Sequence, residues 1–481
     1  MPATGSTVPA HREAESVPPR GAGRWWILAL LGAAQFMLII DVTVVNVALP
    51  SIARELGLDR AGLTWVVTAY TLLFGSLLVL GGRLADAFGR RRMFLAGLGL
   101  FALASLGSGL APTGELLIAS RALQGIAAAL LSPAALSLVT KIFRGSERNQ
   151  ALAVWAALGG AGAAVGVILG GTLTSGPGWQ WIFFINVPVG IAVAFGVTRL
   201  VGAEPAPREA ADLDLPGAVA FAIGIGSLLW AVIDAADAGW TSAATLIRIG
   251  VAAVSLAAFG WHERTTSQPL VRMEMLADRT FSGAVGLLLT ASIVLGGMVF
   301  LGTLYLQLVA GLSAIETGLL FLPMAAALVA GSQWAAHYIG HHGQRGPATS
   351  GFATAVLGML YLSRLPTAGD VLIDVLPGLA VAGFGIGAVI VSATTAAFRR
   401  VGDSEAGRAS GFVNTSHELG LALGVALTST IGAVSLTGAA AGSSLGAAFL
   451  ACAVIASAGA IAARLLMPTR AYAPGRPMFA H

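Results

Sequence analysis

Long apolar runs alternate with short polar stretches from residue 25 to residue 467. A hydrocarbon core of roughly 30 Å needs about 20 residues of helix. No water is present there to satisfy backbone N–H and C=O groups, so each run is predicted to be helical. The segments are 25–49, 63–84, 93–111, 116–140, 150–174, 181–201, 216–233, 243–261, 280–307, 315–339, 347–362, 371–398, 409–434 and 444–467. That makes fourteen predicted crossings, the first ended by Pro50. The longest connecting stretches, 202–215 and 262–279, are too short to fold as separate domains.

Composition narrows the class. Of 481 residues, 56% are apolar and only 10% are Asp, Glu, Lys or Arg. A soluble surface cannot be coated at that density, because average soluble chains carry about 25% charged residues. Soluble enzymes, disordered chains and disulfide scaffolds are thereby excluded, and an all-α polytopic membrane protein remains. The single cysteine, Cys452, leaves no internal disulfide and no cysteine metal site. A net charge of +4 gives no reason to expect a nucleic-acid partner. Residues 1–24 read as a polar, Pro-rich, disordered tail, and 468–481 as a second tail. The run from residue 25 is far longer than a signal h-region of about 7–15 residues, so it is expected to stay as a spanning helix.

Charge tests the count. With the N-terminus inside, Arg83 and Arg90–Arg92, Lys141 and Arg144, Arg264, Arg272 and Arg279, Arg399, Arg400 and Arg408 all fall on the cytoplasmic side. Only Arg54, Arg60, Arg248 and Arg364 fall on the other, and Arg121 is left within a segment. Both termini are therefore expected in the cytoplasm of a plasma-membrane protein.

Some polar residues are out of place in lipid. Asp41 lies about 24 Å along the first segment from Trp25, at about 1.5 Å per residue. Arg121 lies near the outer end of the fourth. Both belong to the outer half of the membrane and are expected to pair. Intramembrane charges mark functional sites by default, although a fixed structural ion pair or a snorkelling arginine would look the same. Glu418 sits near mid-depth within N-T-S-H-E-L-G, with His417 facing elsewhere. It is a candidate proton site, or a neutral acid hydrogen-bonded to a neighbouring helix.

After the second segment comes G-G-R-L-A-D-A-F-G-R-R-R. Its glycines are expected to pinch a tight turn. Gly82, Asp86, Gly89, Arg90 and Arg91 hold a spacing that an ordinary basic loop does not need. The fifth segment stacks Gly162, Gly166 and Gly170, with Gly171 beside them, on a close-packing face; generic small-residue packing would also account for it. His337, His341 and His342 have no acid or cysteine nearby to complete a metal site. Acids or histidines clustered at a membrane boundary, as a membrane enzyme needs, are absent from the sequence.

Taken in order, these motifs resemble the major facilitator superfamily, and within it the drug:proton antiporters with fourteen spanning helices. The stretch G-R-L-A-D-A-F-G-R-R-R is similar to motif A, R-A-L-Q-G around Arg121 to motif B, and the fifth segment to the antiporter motif C. The strings D-V-T-V-V-N-V-A-L-P, W-Q-W-I-F-F-I-N-V-P-V-G and Y-L-Q-L complete the likeness. Val167 stands where motif C usually has proline, and Ala87 where motif A often has arginine. The resemblance implies six-helix bundles at 25–201 and 280–467, joined by a linker, 202–279, that holds the seventh and eighth segments. It further implies alternating access about a pseudo-twofold axis, with motif A as an inner latch in which Asp86 meets the N-terminal end of the thirteenth segment. The function it implies is export of hydrophobic or amphipathic drugs in exchange for protons. Asp41, Arg121 and Glu418 would carry the coupling, since a nearby cation favours the carboxylate form. Gln35, Asn46, Gln124, Gln307 and Asn414 would line the cavity. No cofactor or metal is expected beyond the proton gradient, lipid is the only surrounding partner, and a monomer suffices. Uptake or uniport on the same fold is the alternative.

Overall fold

The computed structural model describes residues 23–143, 145–202, 214–266, 269, 273–366, 370–400, 406–431 and 440–467. Apart from Gly23 and Arg24, both predicted tails lie outside the described residues. Among those described there is helix and turn but no strand. The helices are α1 (Gly23–Leu56), α2 (Arg60–Phe88), α3 (Arg90–Gly109), α4 (Gly114–Ile142), α5 (Gly145–Ser175), α6 (Trp181–Phe184) and α7 (Asn186–Leu200). They continue as α8 (Leu215–Ala238), α9 (Ala243–Thr265), α10 (Met273–Ala277), α11 (Arg279–Leu304), α12 (Ala314–His342) and α13 (Arg345–Leu362). The last are α14 (Val371–Asp374), α15 (Leu376–Ala397), α16 (Ala406–Ile431) and α17 (Ala440–Leu466).

A helix occupies each predicted segment, but the count of fourteen crossings is not confirmed. Among the described residues, 11 helices are long and apolar enough to cross a membrane. The helices α5, α13 and α16 are not among them. Gly, Ala, Ser and Thr dilute the apolar content of α13 and α16, α16 also carries His417 and Glu418, and the described part of α5 leaves only the shorter apolar stretch Val165–Ser175.

Three boundaries also differ from the pattern. Pro50 does not end α1, which continues to Leu56. A proline forfeits one ladder bond, which transmembrane helices tolerate when other groups take up the freed carbonyls. The 181–201 run breaks at Ile185 into α6 and α7. The tight turn expected from Gly81 and Gly82 is absent, because α2 carries both inside it and ends only at Gly89, whose φ of 95° an L side chain rarely adopts. Short polar caps start the other helices. Asp59 accepts from the N–H of Gly62 (2.8 Å), Asp278 from Thr280 and Phe281 (2.7 and 3.0 Å), and Ser313 forms a capping box with Glu316.

Packing repeats along the chain. The pair α2 and α4 packs as α12 and α15 do, α3 and α4 as α13 and α15, and α1 and α5 as α11 and α16. Glycines make the approaches close: a Cβ on Gly125 would meet the Tyr70 carbonyl oxygen, and one on Gly387 the Leu328 carbonyl oxygen. The two sets join along α2–α16 and α5–α12. Helix α8 packs against both α2 and α16, while α9 touches mainly α8. An Arg248–Asp234 ion pair ties α8 to α9 near one end, and a contact of 2.6 Å between His262 and Asp214 does so at the other.

The apolar interior holds two main clusters. Toward the end the charge pattern places outside, one cluster runs unbroken from Val44, Ala48 and Val66 in the first set to Met298, Leu301 and Tyr305 in the second. A separate cluster, including Ile27, Leu31, Phe94 and Leu138, belongs to the first set alone.

Candidate functional site

Asp41 and Arg121 meet. Helix α1 carries the carboxylate, α4 carries the guanidinium, and their side chains form a fully buried ion pair. The surrounding bonds come from five helices. Arg121 Nε donates to the Val66 carbonyl of α2 (3.1 Å), and its Nη1 donates to Gln124 Oε1 (2.9 Å) as well as to Asp41. Gln124 Nε2 donates to Asp41 Oδ1 (3.2 Å) and to Ser105 Oγ of α3 (2.8 Å). Ser108 Oγ donates to Gln124 Oε1 (3.2 Å). From α7, Asn186 Nδ2 donates to Asp41 Oδ1 (3.1 Å) and Ser105 Oγ (3.3 Å). The ring of Tyr70 lies 4.4 Å from the guanidinium carbon, and that of Phe183 lies 5.8 Å away. No buried polar atom of Asp41, Arg121, Gln124 or Asn186 lacks a partner. Such completeness matters energetically. A buried charge that loses its partner costs about 3–5 kcal/mol, so the network is stable only with every member in place.

The other expected cavity residues scatter. Gln124 belongs to this enclosed network. Gln35 is half-buried and accepts from Ser132 Oγ (2.9 Å). Asn46 is buried; its Nδ2 donates to the Val42 carbonyl (2.8 Å), and its Oδ1 has no partner. Gln307 lies in a π-helical turn, Tyr305–Val309, and donates across the seam to the Val47 carbonyl (2.7 Å). Asn414 is exposed. Glu418, one turn further along α16, has its Cβ 3.1 Å from where a Cβ on Gly75 of α2 would sit, and its buried Oε2 has no partner. His417 turns away to Ser292 of α11 (2.7 Å).

The glycine stripe of α5 divides. Gly162, Gly166 and Gly170 pack against Ile39, Thr43 and Val44 of α1, within one set of helices. Gly171 instead faces the other set: a Cβ there would lie 2.6 Å from Ile315 Cα. Gly318 of α12 reciprocates, 2.6 Å from the Val167 carbonyl oxygen. Thr64 and Ser429 share a hydrogen bond of 2.7 Å across the α2–α16 seam.

In the α2–α3 connection, Gly82 has room, with Pro133 Cβ at 3.7 Å from an added Cβ. Gly81 is the tightly packed one, against the backbone of Ala129. Gly89 makes the turn. Arg91 donates to the Thr198 carbonyl (3.0 Å), and Arg83 to that of Pro269 (2.9 Å). The Asp86 side chain and residues 401–405 ahead of α16 lie outside the described residues, so the expected latch does too.

Sequence reasoning missed Ser105, Ser108 and Tyr70, and noted Asn186 only within the string W-Q-W-I-F-F-I-N-V-P-V-G. One signal was available: Ser105 and Ser108, like Arg121 and Gln124, stand three apart and so share a helix face.

The model of the Major Facilitator Superfamily matches residues 31–425. The puromycin resistance protein pur8 of Streptomyces alboniger is 39% identical over 431 residues, covering 89% of this chain and 85% of that protein. The multidrug resistance protein Stp of Mycobacterium tuberculosis is 35% identical, covering 84% and 75%. The lincomycin resistance protein of Streptomyces lincolnensis is 36% identical, covering 88% and 87%. Among solved structures, a bacterial homolog of the human lysosomal transporter Spinster, inward-facing and unoccupied, superposes with a TM-score of 0.65. It covers 93% of this chain and 98% of its own at 16% identity, a likeness of fold alone. This chain, a multi-span helical membrane protein, belongs to the Major Facilitator Superfamily of transporters.

Proposed function

We propose that the protein exports hydrophobic or amphipathic antibiotic-like molecules from the cytoplasm in exchange for protons. The observation that carries this reading is the buried Asp41–Arg121 pair with its complete shell of partners. A proton arriving at Asp41 removes the negative charge that compensates Arg121. The guanidinium is then buried without a counter-ion, a state about 3–5 kcal/mol less favourable. That penalty is large enough to drive a two-state rearrangement of packed helices, which needs only a few kcal/mol of bias. Relatives named for puromycin, lincomycin and multidrug resistance favour a drug-like cargo.

In this reading the bundles 25–201 and 280–467 rock about α2–α16 and α5–α12, and α8–α9 form the linker pair of a fourteen-helix chain. Glu418 is a second proton site or the counter-ion of a cationic cargo. Gln35, Asn46, Gln307 and Asn414 supply hydrogen bonds to it. Gly82, Asp86, Gly89, Arg90 and Arg91 form the inner latch. The termini are cytoplasmic, the membrane is the plasma membrane, and one chain suffices.

The test uses purified protein in liposomes with a pH-sensitive dye inside. Puromycin, lincomycin and a panel of hydrophobic cations are added in turn. Proton movement opposite to a drug, lost in Asp41→Asn, is expected. Drug movement without protons, or proton movement that survives Asp41→Asn, refutes the coupling assigned to Asp41.

A further inference from the structure

Tyr70 lies inside the first set of helices, on α2, which also forms a seam with α16 of the second. Its ring is fully buried and covers the Arg121 guanidinium at 4.4 Å, with Phe74 tilted against it at 5.7 Å. Its hydroxyl is buried and has no hydrogen-bond partner. Buried hydroxyls are nearly always bonded, because an unmade bond costs the full desolvation of the group. Across the seam, Glu418 Oε2 of α16 is buried and equally unpartnered. The two helices touch here: Glu418 lies against Gly75, five residues along α2 from Tyr70.

We propose that Tyr70 is a positioning residue that reports the charge of Glu418 to the Asp41–Arg121 pair, its O–H donating to the Glu418 carboxylate in the alternate arrangement of the two halves. This rests on the reading of Asp41, Arg121 and Glu418 as the charged machinery of transport. A donor and an acceptor, each orphaned and each on one side of a sliding seam, satisfy one another if the helices shift in register. The bond forms well only while Glu418 is ionised, because a carboxylate accepts far more strongly than a carboxylic acid. Tyr70 keeps its proton throughout. Protonating Glu418 weakens that bond and favours the arrangement described above, in which the hydroxyl is free. The groups facing this contact are few: Asp41 from α1, Arg121 from α4 and Glu418 from α16. His417 is bonded to Ser292 on α11 and faces away. The charged pair of α8, Asp234 with Arg248, is satisfied within the α8–α9 hairpin. Helix α3 contributes Ser105 and Ser108, which do not titrate.

The experiment needs no drug, so its failure is distinct from failure of the export reading. Spin labels are placed at Ser175→Cys and Arg364→Cys, exposed positions on the two halves. Cys452 is fully buried and stays unlabelled. Label-to-label distances in liposomes are recorded from pH 5 to pH 9. In the parent protein, the ratio of the two distance populations is expected to change about tenfold, the weight of one hydrogen bond to a charged group. Tyr70→Phe keeps the ring over Arg121 and removes only the hydroxyl. It is expected to flatten that profile, as is Glu418→Gln, and the double variant is expected to add nothing to either single one. A Tyr70→Phe profile that follows the parent at every pH overturns the proposal. So does a parent ratio indifferent to pH, or a double variant equal to the product of the singles.

Discussion

Gly81 and Gly82 are neighbours in sequence and opposites in packing, which makes them a controlled pair. A Cβ added to Gly81 would lie 2.7 Å from the Ala129 carbonyl carbon, closer still to its oxygen, and 3.3 Å from Leu130 Cα. Every one of those atoms is backbone, so no rotamer change relieves the clash. Restoring ordinary contact, 3.4–4 Å, requires α2 and α4 to part by roughly 1.5 Å or more along this stretch. Overpacking of this kind costs about 1–3 kcal/mol, and the backbone blockers put it at the upper end. Against that, alanine gains about 1 kcal/mol over glycine inside a helix. Gly81→Ala should therefore destabilise by about 2 kcal/mol. At Gly82 the nearest atom to an added Cβ is a side-chain carbon at 3.7 Å, which is ordinary contact. Gly82→Ala should keep the helix gain and stabilise by up to about 1 kcal/mol.

The gap of about 3 kcal/mol corresponds to roughly 6 °C in apparent melting, at about 2 °C per kcal/mol for a chain of this size. Unfolding from detergent is irreversible in most membrane proteins, so both variants must be heated at one scan rate. Loss of the monodisperse peak on size exclusion after heating gives the melting point. Equal melting points for the two variants would refute the argument. It would mean that the α2–α4 contact yields easily, and the close approach that seats Tyr70 beneath Arg121 would lose its physical basis.

Gln124→Leu should destabilise by about 3–5 kcal/mol. It strips one partner each from Asp41, Arg121, Ser105 and Ser108, and two of the lost bonds are charge-assisted. Ser108→Ala should cost about 0.6 kcal/mol, the average for a neutral interhelical bond in a membrane; identical melting of the two variants would contradict this. Gly171→Ala wedges α5 from Ile315 and should open the seam at that end. A membrane-impermeant maleimide should then label Gln307→Cys several-fold faster than in the parent. Gly162→Ala meets only Ile39 and Phe36 within its own set of helices, so it should leave labelling unchanged.

What could be read from the sequence depended on how costly each residue is in lipid. Asp41 and Arg121 stood out because an unpaired charge there costs several kcal/mol, so a partner at matched depth had to exist. Ser105, Ser108 and Asn186 carry no such penalty. Serine in a membrane helix can return its proton to its own backbone, and nothing in the order of residues says that it does not. Pro50 and the G-G pair misled for one reason. Local propensity favours ending or turning the chain there, while the packing of α1 against α5 and α2 against α4 rewards continuing the helix. The break at Ile185 is marked by Asn186 and Pro188, which interrupt the apolar run directly after it, a signal that a count of apolar residues passes over.

The Asp41 network and the α2–α16 seam differ in how their buried polar groups are satisfied. The Asp41 network ties α1, α2, α3, α4 and α7 together with every buried polar atom of its four key side chains partnered. A fully bonded buried network resists deformation, because each broken bond exposes an uncompensated group to a low-dielectric interior. The first set of helices should therefore move as one body. Of the twelve buried side-chain atoms without a partner among the described residues, four lie on the two helices that form one of the seams between the sets: Tyr70 and Ser76 on α2, Thr415 and Glu418 on α16. A seam that leaves donors and acceptors unmatched in one arrangement is one whose alternative arrangement is close in energy, which is the condition for a two-state switch. Rigidity inside the half and frustration at its edge are the two properties that rocking requires, and both follow from which side chains found partners.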